Sequence, residues 1–284
     1  MISKNSKKIF VAAGLVLLFG VSAVVAYADN AWGNYHWGRT SNPFTLKAGD
    51  NVSPTWDPYL DEAISDWSAS SFLDLTKVAG GTNNTKGQYT PKNCVPTVGR
   101  LEICSAKYGA TGWLGVARIW VSDSDVDHIV KATTKVNDTY FNTSTYNTPA
   151  WRRLVMCQEI AHDFGLDHQD ETFNNANVGS CMDYTNDPDG GPGGASASDP
   201  SNEHPNAHDF AQIETNYAHS DDTTTVGQTT SFGPGKGSAF NGADGQEVAE
   251  WGKVIRTSSD GKPSLFERDL GNGNKVFTFV IWAD

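Results

Sequence analysis

Within WDPYLDEAISDWS (Trp56 to Ser68) the apolar positions fall at Tyr59, Leu60, Ala63, Ile64 and Trp67. That is the three-and-four spacing of one helical face, and Pro58 is tolerated in a first turn. Two later runs change the period. WLGVARIWV (Trp113 to Val121) and IVKATTKVNDTYF (Ile129 to Phe141) are rich in β-branched and aromatic residues with partial alternation, which predicts strands. The helical period returns after Thr148-Pro149, an N-cap followed by a proline suited to the first helical position. It runs through Trp151, Leu154, Val155, Ile160, Ala161 and Phe164 and stops at Gly165. A further helix is predicted over Ala207 to Ala218. Near the end, Phe266–Asp269 and Lys275–Trp282 flank Gly271-Asn272-Gly273-Asn274, a hairpin signal.

The stretches between these elements lack a period. Residues 80–112 are rich in Gly, Asn and Thr and hold Cys94 and Cys104, which reads as a long stapled loop; residues 183–207 are nearly all loop formers. From Asp221 a Thr/Gly-rich linker leads to the tail, and there is no internal repeat. The opening 28 residues are different again. Lys4, Lys7 and Lys8 precede an apolar run from Ile9 to Val25, and Ala26-Tyr27-Ala28 is a small-x-small triplet. This is the pattern of a cleaved secretory leader. An uncleaved anchor is the alternative, since the run is near the lower limit of about 17–25 residues for spanning a bilayer. The expected division is therefore a leader (1–28), one large α/β domain (29–222) and a linker with a small β-rich extension (223–284).

Composition narrows the function. The 284 residues carry 21 Lys+Arg against 33 Asp+Glu, a formal charge of −12. An acidic surface repels a phosphate backbone, which argues against nucleic acid as a partner and gives no support to docking on anionic lipid. With 38% apolar residues the chain is rich enough for a substantial core. Four cysteines, an even number, fit two disulfides in an exported, oxidised protein.

The chemistry is concentrated in Cys157-Gln158-Glu159-Ile160-Ala161-His162-Asp163-Phe164-Gly165-Leu166-Asp167-His168. Positions 158 and 162 lie one helical turn apart on one face, so two ligands there can grip one cation. Glu159 follows the first ligand position, Gly165 permits a sharp break, and His168 returns from beyond the helix. Zinc brings the pKa of a bound water to about 7, and a carboxylate can then take its proton.

The pattern Gln158-Glu159-x-x-His162-x-x-Gly165-x-x-His168 resembles the zinc signature of the metzincin metallopeptidases, H-E-x-x-H-x-x-G-x-x-H. Cys181-Met182-Asp183-Tyr184 is similar to that family's methionine turn, and Tyr184 stands where some members have a tyrosine near the metal. The likeness is sharp over residues 149–185 and does not reach the tail. It implies a twisted mixed sheet packed on the active-site helix, with an irregular lower part holding His168 and the structural Met182. It also implies a secreted zinc-dependent endopeptidase acting on protein or peptide substrates, free of the membrane once the leader is removed and expected to be monomeric. His162, His168 and Gln158 would hold Zn2+, Glu159 would be the general base and Tyr184 would assist. Substrate would lie extended along a sheet edge beside Trp113–Ala117.

The departure is Gln158, where the family has histidine. A neutral amide oxygen suits calcium or magnesium better than zinc. Three outcomes stay open: Gln158 ligates through its carbonyl oxygen; His128, His204, His208, His219 or a water completes the site; or the metal is lost and the chain is a secreted binding protein on the same scaffold. Around the site, Cys157 with Cys181 would tie the helix to the methionine turn, and Cys94 with Cys104 would close a short loop. Loops of this size contribute about 2–4 kcal/mol. Asp183, Asp187 and Asp189 read as turn residues, with a Ca2+ cage as the alternative. Asn51, Asn83, Asn137 and Asn142 open N-x-S/T triplets. Trp251 and Trp282 read as hairpin core, with a carbohydrate platform as the alternative.

Overall fold

The structure is a computed structural model and describes residues 30–81, 92–122, 127–193, 197–229 and 250–283. The leader over 1–28 and the triplet at Asn83 lie outside the described residues. Among the described residues no helix is long and apolar enough to cross a membrane.

The chain folds as α/β, with helices packed on one twisted mixed sheet. Its strands are β1 (His36–Trp37), β2 (Phe44–Asn51), β3 (Leu73–Ala79), β4 (Leu101–Ala106), β5 (Trp113–Ser122), β6 (His128–Asn137), β7 (Lys253–Thr257), β8 (Pro263–Gly271) and β9 (Asn274–Trp282). The order across the sheet is β3-β2-β4-β6-β5-β9-β8-β7, with β1 also on β6. Strands β3, β2, β4 and β6 pair in parallel, while β5 and the three C-terminal strands run antiparallel to their neighbours. The two central strands β5 and β6 are buried throughout, so their sequences show only partial alternation.

Helix α1 (Asp57–Trp67) buries Leu60, Ala63 and Trp67, the face its spacing predicts. Helix α3 (Pro149–His162) begins as expected: Thr148 Oγ1 accepts from the Trp151 amide and Pro149 takes the first helical position. Almost all of α3 is buried, and Leu154, Val155 and Ile160 join a core with Trp67, Ile119 and Phe164. Each such side chain contributes about 1.5–3 kcal/mol. Helix α4 (Ala207–Tyr217) carries a capping box between Asn206 and Asp209. Between these, a short helix α2 (Asp138–Phe141) follows β6 directly.

Three expectations are corrected. The predicted strand over 129–141 stops at Asn137, whose side chain turns to accept from Thr139 N and starts α2. The loop read over 80–112 contains β4, a strand buried on both faces between β2 and β6. The hairpin at the C-terminus forms, but it joins the main sheet instead of standing apart: β9 lies along the whole of β5, from Trp113 opposite Trp282 to Val121 opposite Lys275. Leu265, Phe277, Phe279 and Ile281 are part of the main core. Trp251 is buried against Phe266 and beside Trp113, as the core reading of the tail requires. Of the N-x-S/T asparagines, Asn51 and Asn137 are buried and hydrogen-bonded, whereas Asn142 is exposed.

A candidate metal site beneath the C-terminal strands

Helix α3 ends at His162, and Gly165 turns the chain with φ +92°, a conformation that favours glycine. A Cβ there would also sit 2.1 Å from the Tyr35 carbonyl oxygen. This break returns His168 to the helix end. His162 Nε2 and His168 Nε2 then face one another at 3.1 Å, close to the edge of about 3.3 Å that tetrahedral zinc–nitrogen bonds would require. The outer nitrogens are held: His162 Nδ1 donates to Leu166 O at 2.8 Å and His168 Nδ1 to Glu171 Oε1 at 2.6 Å. With the protons fixed on Nδ1, both Nε2 lone pairs point into one space. Burial first, and His168 second, hold His162 well below the usual imidazole range, which keeps it a neutral donor.

Gln158 uses the two ends of its amide differently. Its Nε2 donates to Cys181 O at 2.8 Å and Asp183 O at 3.0 Å, bracing the helix against the methionine turn. Two carbonyl acceptors fix which end of the amide is nitrogen, so Oε1 faces the other way, buried and without a hydrogen-bond partner. Cys157 and Cys181 are disulfide-bonded beside it, as are Cys94 and Cys104. Met182 is fully buried beneath.

Glu159 is sealed. It is 1% exposed, lies under β5, and faces the backbone amides of Ala117 and Ile281 without a hydrogen bond of good geometry. A Cβ on Gly115 would come within 2.6 Å of Glu159 Oε1, so glycine makes room for the carboxylate. Burial, then the neighbouring Asp163 carboxylate, pushes Glu159 well above the usual range. Tyr184 is also buried, with its ring 5.2 Å from His168 and its hydroxyl beside Ser258 and the Trp282 backbone. Burial raises its phenol first, and the Asp260 carboxylate next.

The cover over these groups is the C-terminal region. Phe279 of β9 stacks on the His162 ring at 4.2 Å with 9° between planes. Arg256 of β7 pairs with Asp167 and Glu171, and Ser259 Oγ donates to Glu171 O while accepting from Phe173 N. Burial favours the neutral form of Glu171, yet His168 and Arg256 hold it below the usual carboxylate range. Asp167, His168 and Glu171 lie close enough together to suggest a metal site of their own. Arg256 pairs with both carboxylates, however, and His168 offers its Nδ1 proton to Glu171 and its backbone amide to Asp167. The edge of β5 expected to receive substrate is thus taken by β9.

Other expectations resolve plainly. His204 pairs with Asp66 at the surface, and His128 and His219 gather with His36 around Asp221, so none of them completes the motif. Asp183, pushed up to about 6 by burial, is held by Val178 N and Asn202 rather than gathered with Asp187 and Asp189. Glu171, Arg256 and Phe279 belong to no motif, and Arg256 and Phe279 carry no role that spacing could have assigned. Only Glu171 had a readable signal, a carboxylate three residues after a histidine of the motif.

No family model matches the chain, and no curated protein matches it. Among solved structures it is similar to high choriolytic enzyme 1, a hatching-enzyme zinc protease of the medaka fish Oryzias latipes, at 11% identity and a TM-score of 0.36. The match covers 66% of this chain and 99% of that chain. A likeness of that size adds nothing to the architecture above, and the functional reading rests on the chain's own residues.

Proposed function

We propose that the chain is an exported zinc-dependent endopeptidase whose catalytic cleft is covered by its own C-terminal strands. The observation that carries it is the pair of buried Nε2 atoms of His162 and His168, face to face with their outer nitrogens anchored. Two such nitrogens are relieved of lone-pair repulsion by a shared proton or by a metal cation, and two buried imidazoles with anchored outer nitrogens are a donor set that fits zinc. The orphaned Oε1 of Gln158 supplies a third donor in this reading. When bound, zinc supplies Lewis acidity toward a peptide carbonyl and a water. Glu159 accepts a proton at its carboxylate and returns it to the leaving amine, Tyr184 steadies the developing oxyanion, and Glu171 keeps the His168 ring oriented. Residues 29–222 form the catalytic unit and 223–284 the cover. The two disulfides support an oxidising, extracellular destination.

The competing reading is a secreted binding protein that keeps the scaffold without the chemistry, and the sealed Glu159 favours it. Metal content and casein cleavage separate the two. Purified chain should carry zinc at the motif, and removing it with a chelator should abolish cleavage. Glu159→Ala should retain that zinc and lose at least about 100-fold in rate, in the range of general-base contributions. A zinc-loaded chain that cleaves nothing, even with the C-terminal strands loosened, establishes the binding protein instead.

A further inference from the structure

We propose that the chain has a second transition-metal site, apart from the motif, formed by His36, His128, His219 and Asp221. The sheet register builds half of it: β1 pairs with β6 so that His36 and His128 are direct partners. The segment after α4 brings the rest. His36 Nε2, His128 Nε2 and His219 Nε2 lie 3.3, 3.3 and 3.2 Å from the same oxygen, Asp221 Oδ1. His219 Nε2 is also 3.1 Å from His36 Nε2. Zinc bonds of 2.0–2.1 Å in a tetrahedron give ligand separations of about 3.3 Å. Four of the six separations thus match those around one tetrahedral ion, and the donor atoms of His36, His128 and Asp221 all lie within 4.8 Å of one another.

Hydrogen bonding alone explains this cluster poorly. His36 Nδ1 lies 2.5 Å from Asn34 O, a carbonyl that can only accept, so Nδ1 carries a proton and, in the neutral ring, Nε2 presents a lone pair to a carboxylate oxygen. One carboxylate oxygen is also a poor acceptor for three imidazoles at once. His128 is wedged, since a Cβ on Gly38 would fall 2.8 Å from its Nδ1, and that nitrogen has no hydrogen-bond partner. Arg39 Nη1 donates to the other oxygen of Asp221 at 2.5 Å, and Arg39 Nη2 binds Tyr217 O and His219 O. The guanidinium therefore fixes the turn that carries His219 and Asp221, as an outer-shell partner does. Nη1 also lies 3.5 Å from His219 Nε2, and its charge cancels that of the carboxylate. Affinity then has to come from imidazole nitrogens, which selects zinc or a similar nitrogen-preferring ion over calcium and magnesium. Four protein donors leave no open position, so the site is structural. It clasps the first strand, the start of β6 and the segment after α4.

The test is zinc stoichiometry of the full chain, with cobalt(II) absorption reporting tetrahedral geometry. His219 is half-exposed, so His219→Ala should leave the fold intact by circular dichroism. His219→Ala and Asp221→Asn should each release one equivalent of zinc, with affinity at that site falling at least about 100-fold. His162→Ala/His168→Ala should keep this equivalent and its tetrahedral cobalt spectrum. If the motif site binds nothing, wild type should hold one equivalent that is still lost in His219→Ala, and this proposal survives while the peptidase reading fails. Unchanged zinc stoichiometry and affinity in both His219→Ala and Asp221→Asn overturns it.

Discussion

Gln158 donates both amide hydrogens to the carbonyls of Cys181 and Asp183 and leaves its oxygen buried without a hydrogen-bond partner. Histidine at this position could present a nitrogen to zinc but could not satisfy both carbonyls. Gln158→His should therefore tighten zinc binding at the motif at least about tenfold in a competition titration while lowering thermal stability. One buried carbonyl left without its donor costs about 1–3 kcal/mol. Unchanged affinity would mean that position 158 is turned away from the ion. Gly165 is a second single-residue control. With φ at +92° and Tyr35 O pressing where a Cβ would go, Gly165→Ala should cost more than about 2 kcal/mol in denaturant unfolding. It should also loosen zinc, because His168 depends on that turn; a variant as stable as wild type would remove the glycine from the site's construction. Spacing made 158, 162, 165 and 168 readable, because helical geometry is local. The orphaned oxygen of Gln158 was not readable, since it depends on carbonyls more than twenty residues away.

Elements differed in how far they could be read, and the difference follows their surroundings. Helix α3 announced itself through Thr148, Pro149 and Gly165, signals that act within one turn. Strand β4 has no alternation because both faces are covered, and it follows a Gly/Asn-rich stretch, so the local pattern resembled a loop. The hairpin of β8 and β9 was legible from its turn, but its partner β5 lies about 160 residues earlier and no local pattern names it. Within the C-terminal strands, Glu267 of β8 bridges Lys253 of β7 and Lys275 of β9. Lys253 first, and Lys275 after the opposing effect of burial, hold its carboxyl below the usual range. A depressed folded-state pKa adds stability above the unfolded value of about 4.3, lost as pH falls through the folded value. Glu267→Gln should thus lower the melting temperature at pH 7 by an amount equivalent to about 0.2–1 kcal/mol, since the lysines are exposed. That difference should vanish near pH 3. A difference independent of pH would assign the effect to packing.

At the scale of the molecule, the C-terminal strands complete the sheet and also shut the site. Phe279 serves both: it belongs to the main core, and its ring lies flat on His162. Arg256 adds the ionic part by holding Asp167 and Glu171, the carboxylates around His168. If these strands are a removable cover, weakening those two contacts should free β5 for an extended substrate before the rest of the fold gives way. Sheet edges accept peptide strands through backbone pairing, and β9 now makes those bonds. Arg256→Ala/Phe279→Ala deletes one buried ring, at about 3–5 kcal/mol, together with the ion pairs. Loaded with zinc, this variant should cleave casein at least about tenfold faster than wild type at temperatures where near-ultraviolet circular dichroism still reports the native core. Hydrogen exchange should show β9 amides opening while β4 and β6 stay protected, the signature of local rather than global unfolding. If β9 and β6 exchange together and no cleavage appears below the melting temperature, the strands are an inseparable part of the core and the site beneath them is never exposed.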